Sequence, residues 1–239
     1  METGKLIISR TKALSDAVDS LSFSFDGYVY NPLNYAWNAH RQFLEKYVDH
    51  KIDVLFLGMN PGPFGMMQTG VPFGEINAVK NYLKIDAQIA KPKFEHPARP
   101  VLGLDTKRSE ISGLRFWGLI SSVYPNPMDF FKTQTVFNYC PLGFLMNTKT
   151  AKNETPDHLP KPERDALEKI CSDYLRDIID ILKPTYLIGV GKYAQSKLAY
   201  VATSRTVDSI IHPSPGNPQA NNNWSGKTQI KLQEIGAWN

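Results

Sequence analysis

Residues 52–75 read IDVLFLGMNPGPFGMMQTGVPFGE, and the change of character at Gly58 decides the fold. Val54 to Leu57 are apolar without alternation, the pattern of a strand buried on both faces, as in a parallel sheet covered by helices. From Gly58 onward, glycine and proline recur too densely for either helix or strand. A buried strand therefore empties into a long loop that must have a shape of its own.

Three other segments share this reading with DVLFLG (53–58): TVFNYC (135–140), TYLIGV (185–190) and DSIIH (208–212). Helical stretches separate them. The clearest is PERDALEKICSDYLRDIIDILK (162–183), where Leu167, Ile170, Cys171, Tyr174, Leu175, Ile178 and Leu182 recur at helical spacing, with Pro162 in the first turn and Pro184 as the stop. Further helices are expected at 36–49, 75–84, 113–123, 192–202 and near 225–235, while 85–110 and 143–161 read as weakly structured. This alternation predicts an α/β fold: a three-layer α/β/α sandwich around a central, mainly parallel four-stranded sheet.

At 239 residues and 42% hydrophobic composition, the chain supports one core, and a single domain over 1–239 is expected. The first residues lack a secretory pattern, and no apolar run approaches the roughly 20 residues of a membrane span. A soluble, intracellular protein is the expectation. Cys140 and Cys171 are too few for a disulfide framework and read as reduced core thiols. His40, His50, His96, His158 and His212 show no paired ligand spacing, so no metal is expected. The net charge of +4 fits a polyanionic partner without establishing one.

In open parallel sheets the carboxyl ends of the strands share one edge, where loops distant in sequence converge. Three loops fall there: GMNPGPFG, the Asn138 exit of the second strand, and HPSPGNPQAN (212–221). Gly189–Ala194, GVGKYA, matches the G-x-G-x-x-A turn of dinucleotide-binding folds, but Asp208 opens its strand rather than closing it. A tight strand-to-helix turn explains those residues better.

The strand–GMNPGPFGMMQTGVPFGE and strand–HPSPGNPQAN pair, with Asn138 between, resembles the uracil-DNA glycosylase superfamily, and within it the single-strand-selective monofunctional uracil-DNA glycosylases. The resemblance runs from about residue 20 to the end. It implies an enzyme that flips a base out of DNA and hydrolyses its bond to the sugar, with no cofactor, and it assigns Asn60 and His212 to catalysis. Asn60 stands where the fastest members carry aspartate, and would orient water; His212 would steady the departing base. Met59, Gly62, Met66, Phe73 and Asn138 are implied to bind the base. Phe73 would stack on it, and Asn138 would read its N3 and O4 edge. Gly62 would remove a wall at carbon 5, so that it and Met66 border a small water-filled space that a hydroxymethyl group can occupy.

The resemblance further implies DNA contacts from Lys149, Lys152 and the wedge Pro213, Ser214, Pro215, Gly216, Asn217, Pro218 and Gln219. Better-known animal members carry arginine where Gly216 stands, which puts action on duplexes in doubt. The expected partner is DNA containing uracil or a modified uracil such as 5-hydroxymethyluracil, bound by a monomer with no membrane association, in the cytoplasm if bacterial or the nucleus if eukaryotic. The product would be an abasic site for base excision repair. From the residues alone, two other readings stay open: a nucleotide-dependent oxidoreductase built on GVGKYA, and a module that binds damaged DNA without cutting it.

Overall fold

The computed structural model describes residues 2–202 and 205–238. The chain opens with α1 (Glu2–Asp19), β1 (Gly27–Tyr30), α2 (Pro32–Tyr35) and α3 (Trp37–Tyr47), then enters β2 (Val54–Gly58) and α4 (Met66–Thr69). There follow α5 (Ile111–Val123), α6 (Pro127–Phe131), β3 (Gln134–Asn138), β4 (Gly143–Met146) and β5 (Asn153–Glu154). The last third holds α7 (Lys161–Leu182), β6 (Tyr186–Val190), α8 (Lys192–Val201), β7 (Thr206–Ile210) and α9 (Trp224–Ile235).

Strands β3, β2, β6 and β7 form a four-stranded sheet in that order, every neighbouring pair parallel. Every residue of β2 is buried, so the central strand is covered on both faces, as its unbroken apolar run requires. Phe56, Phe116, Phe130 and Trp117 meet edge-on or stacked beside it. Cys140 and Cys171 are free thiols buried in this core.

The structure departs from the sequence reading at several points. Helix α1 was not expected, because its inner face carries Gly4, Thr11 and Ser15 between Ile7, Leu14 and Val18 and looks polar in sequence. Thr11 makes that face work, hydrogen-bonding Tyr174 of α7 at 2.7 Å and its own Ile7 carbonyl at 2.8 Å. A second sheet, β1-β4-β5, pairs antiparallel across the stretch read as weakly structured. Its strands are too short to announce themselves without their distant partners.

The helix expected at 75–84 contracts to a wide π-type turn over Ala78–Tyr82, closed by Leu83 N–H on the Ala78 carbonyl at 2.8 Å. The last parallel strand stops at Ile210, so His212 lies in the loop beyond it rather than closing the strand.

The glycines of GVGKYA serve packing. A Cβ on Gly189 would fall 2.3 Å from the backbone nitrogen of Gln195, because α8 lies directly on β6, and Gly191 turns the chain at φ 94°. Gly189→Ala is therefore expected to cost about 1–3 kcal/mol of stability, since backbone cannot yield as a side chain does. Urea denaturation monitored by circular dichroism measures this.

Candidate active site

The parallel register pairs Gly58, at the end of β2, with Asn138, at the end of β3. A Cβ on Gly58 would stand 2.3 Å from Asn138 Oδ1 and 2.8 Å from the Phe73 ring, so only glycine lets those two side chains share this corner. Beyond the strands, Tyr139 and Cys140 N–H donate to the carbonyls of Gly58 and Met59, each at 2.9 Å, which binds the two exit loops together.

Asn60 Nδ2 donates to the Leu142 carbonyl at 3.4 Å, leaving its Oδ1 as the acceptor. Asn138 Nδ2 points at the Met66 sulfur, 3.1 Å away, a soft partner that favours one amide orientation. Phe73 has φ 52°, a left-handed conformation costing a non-glycine residue about 1–2 kcal/mol. Packing holds it there: its ring stacks on Phe116 with centroids 4.7 Å apart and planes at 17°.

His212 accepts the Ser214 N–H on Nδ1 at 3.2 Å. An acceptor at Nδ1 places the ring proton on Nε2, so the neutral ring carries one free donor. Burial lowers its pKa below the ordinary histidine value and keeps it neutral. The loop that carries it is anchored from two helices, by Arg115 on the Pro213 carbonyl at 2.9 Å and on Asn221 Oδ1 at 3.0 Å, and by Trp224 on the Ile211 carbonyl at 2.7 Å.

Met59, Asn60, Gly62, Met66, Phe73, Asn138 and His212 all line one cavity of about 550 Å³, together with Ser214 and Pro215 of the predicted wedge. That volume suits a nucleotide-sized ligand. Elsewhere in the wedge, Pro213 is buried, while Pro215, Gly216, Pro218 and Gln219 are exposed. Asn217 and Gln219 border a second cavity of about 510 Å³ with Lys192, Lys227 and Lys231, and His212 divides the two. Lys149 and Lys152 are exposed outside both cavities, Lys152 paired with Glu154 at 3.5 Å. Their neighbours Asn153 and Thr155 do reach the first cavity.

The sequence reading missed Glu110 and Arg108, which also line this cavity. Arg108 stacks over Phe64 at 4.0 Å on the rim. Glu110 is the N-cap residue just before α5, where an acidic residue ordinarily just complements the helix dipole, so nothing in sequence marked it. Its carboxyl lies against the loop beside Gly62: a Cβ on Gly62 would meet Glu110 Oε1 at 2.1 Å, and one on Gly65 would meet Oε2 at 2.3 Å. Burial raises the Glu110 pKa to about 7, the nearby Gly113 N–H pulls it down, and Glu75 raises it further. Among the described residues, no cluster of His, Cys, Asp and Glu is arranged to hold a metal ion, and no helix is long and apolar enough to cross a membrane.

The family model of the uracil DNA glycosylase superfamily matches residues 45–235. The chain belongs to that superfamily. The single-strand selective monofunctional uracil-DNA glycosylase of Rattus norvegicus is 44% identical over 214 residues, covering 88% of this chain and 76% of the relative. That of Bos taurus is 42% identical over 228 residues, covering 93% and 83%. The crystal structure of Pedobacter heparinus SMUG2 superposes with a TM-score of 0.68 over 97% of both chains at 17% identity, a likeness of fold.

The raised pKa of Glu110 predicts a pH effect on stability. Between the ordinary carboxyl value of about 4.3 and the folded value, the folded state binds a proton that the unfolded state has lost. Stability therefore falls as pH rises through that window and levels above about 7. In Glu110→Gln, which cannot ionise, the drop in melting temperature between pH 5 and pH 8 should be smaller than in the parent protein.

Proposed function

We propose that this protein is a monofunctional uracil-DNA glycosylase, acting on uracil and on 5-modified uracils such as 5-hydroxymethyluracil, in single-stranded DNA and, more weakly, in duplexes. The observation that carries this reading is the meeting of Asn60, Phe73, Asn138 and a neutral His212 in one cavity. Each supplies a different part of the chemistry.

A base drawn out of its stack costs a few kcal/mol, which stacking on Phe73 offsets by about 1–3 kcal/mol. Asn138 donates to O4 and accepts from N3–H, with the Met66 sulfur biasing its amide toward that pairing over the reverse pattern of cytosine. As the bond to the sugar stretches, negative charge gathers on the base. The Nε2–H of His212 meets it at O2, in a cavity where little water competes. Asn60, its nitrogen tied to Leu142, presents Oδ1 to a water that attacks the cationic sugar carbon. An amide cannot accept that proton as a carboxylate can, so turnover is slower than in an aspartate enzyme. Among the described residues lining the cavity none is a lysine, which is in keeping with hydrolysis without strand cleavage. The exposed wedge and the lysines of the adjoining cavity lie where a DNA strand would pass.

Incubation with a uracil-containing single-stranded oligonucleotide in chelator should give strand breaks only after alkali. Breaks before alkali would mean lyase action, and none after it would leave a binding module. His212→Ala should slow single-turnover release about 10²–10³-fold, and Asn60→Ala at least ~10²-fold. At the wedge tip, a Cβ on Gly216 would meet only Ser214 Oγ, at 3.5 Å. Gly216→Arg should therefore be accommodated and raise the ratio of duplex to single-strand rates, measured on matched substrates.

A further inference from the structure

Passing round a uracil ring from the sugar-bearing nitrogen, the edge presents O2, N3, O4 and then carbon 5. With His212 at O2 and Asn138 at N3 and O4, carbon 5 faces what lies beyond Asn138 on the side away from His212. Met66 touches Asn138 Nδ2, the atom that would meet O4, and so stands toward carbon 5 in this pose. In the same cavity, the carboxyl of Glu110 is pressed against the backbone of Gly62 and Gly65 that leads into Met66.

We propose that Glu110 is the residue that reads the substituent at carbon 5, its carboxyl bonding a hydroxyl-bearing group and disfavouring a methyl group. This inference rests on the glycosylase reading above. Three observations support it. Glu110 lines the cavity, and its Oε2 is buried without a well-formed hydrogen bond, the Gly113 N–H being the nearby donor, so the carboxyl keeps accepting capacity for a ligand hydroxyl. The carboxyl also lies close against the loop: a Cβ at Gly62 or Gly65 would meet it at 2.1 and 2.3 Å. The glycines of this loop thus make room for an acid. Finally, a hydroxyl both donates and accepts, so it matches Glu110 whether the acid is ionised or protonated; a methyl group does neither and would cover the carboxyl without bonding it. The bland alternative is an acid that merely caps α5, which would affect stability and leave substrate choice alone.

Single-turnover rates on single-stranded oligonucleotides carrying uracil or 5-hydroxymethyluracil test this in the parent protein, Glu110→Gln and Glu110→Ala. The expected result is a fall in the ratio of 5-hydroxymethyluracil to uracil rates, at least tenfold in the alanine variant and smaller in the glutamine variant, whose amide still bonds a hydroxyl. Both rates come from one preparation, so partial unfolding lowers them together and leaves the ratio intact. Should the alanine variant not fold, the near-isosteric glutamine variant carries the test, with at least a twofold fall expected. An unchanged ratio in folded variants overturns the inference, as does equal loss on both substrates, which would make Glu110 part of the chemistry. Failure of the parent protein to release either base would instead overturn the glycosylase reading.

Discussion

At Gly58, Gly62 and Gly65 the backbone approaches side chains from other elements more closely than any Cβ allows: Asn138 and Phe73 at the first, Glu110 at the other two. The remainder of the site depends on these approaches. Parallel pairing fixes Gly58 opposite Asn138, and the absent side chain lets the Asn138 amide and the Phe73 ring occupy the same corner. Were any of the three residues larger, the strand order would survive but the cavity would lose its walls. A loop so rich in glycine and proline is thus a tightly fitted backbone, held by the carbonyls of Gly58 and Met59 on the neighbouring exit.

The same packing sets the charge state of the site. Burial pushes His212 and Glu110 in opposite chemical directions to one result, a neutral imidazole and a carboxyl that titrates near pH 7. Under the proposed function, a neutral His212 accepts a neutral base readily and reserves its strongest interaction for the anion formed as the base leaves. Strain contributes as well, because Phe73 holds a left-handed backbone, with its ring stacked on Phe116 and its carbonyl bonded by the Glu75 N–H, and so presents a rigid face.

Legibility in the sequence followed burial and local pattern. DVLFLG and TYLIGV announced themselves because strands covered on both faces must be continuously apolar. The Asn60 and His212 loops were found through motifs long enough to be specific. Helix α1 escaped because its buried face uses Thr11 and Ser15, whose compatibility with the core comes from Tyr174, more than 150 residues away, and from Asn31 respectively. The strands β4 and β5 escaped because their pairing partners are one another and β1, and strands this short carry no pattern alone.

By itself, the sequence determined the parallel α/β framework, the edge of the sheet where function gathers, and most of the side chains that gather there. These follow from periodicity and from turn chemistry, which act over a few residues. Only the tertiary structure decided that His212 is a neutral donor through Nε2, that Met66 biases Asn138, and that the gap beside Gly62 holds the Glu110 carboxyl. Each of those depends on the distance between atoms remote in the chain and on the exclusion of water around them, and neither quantity exists until the core has closed.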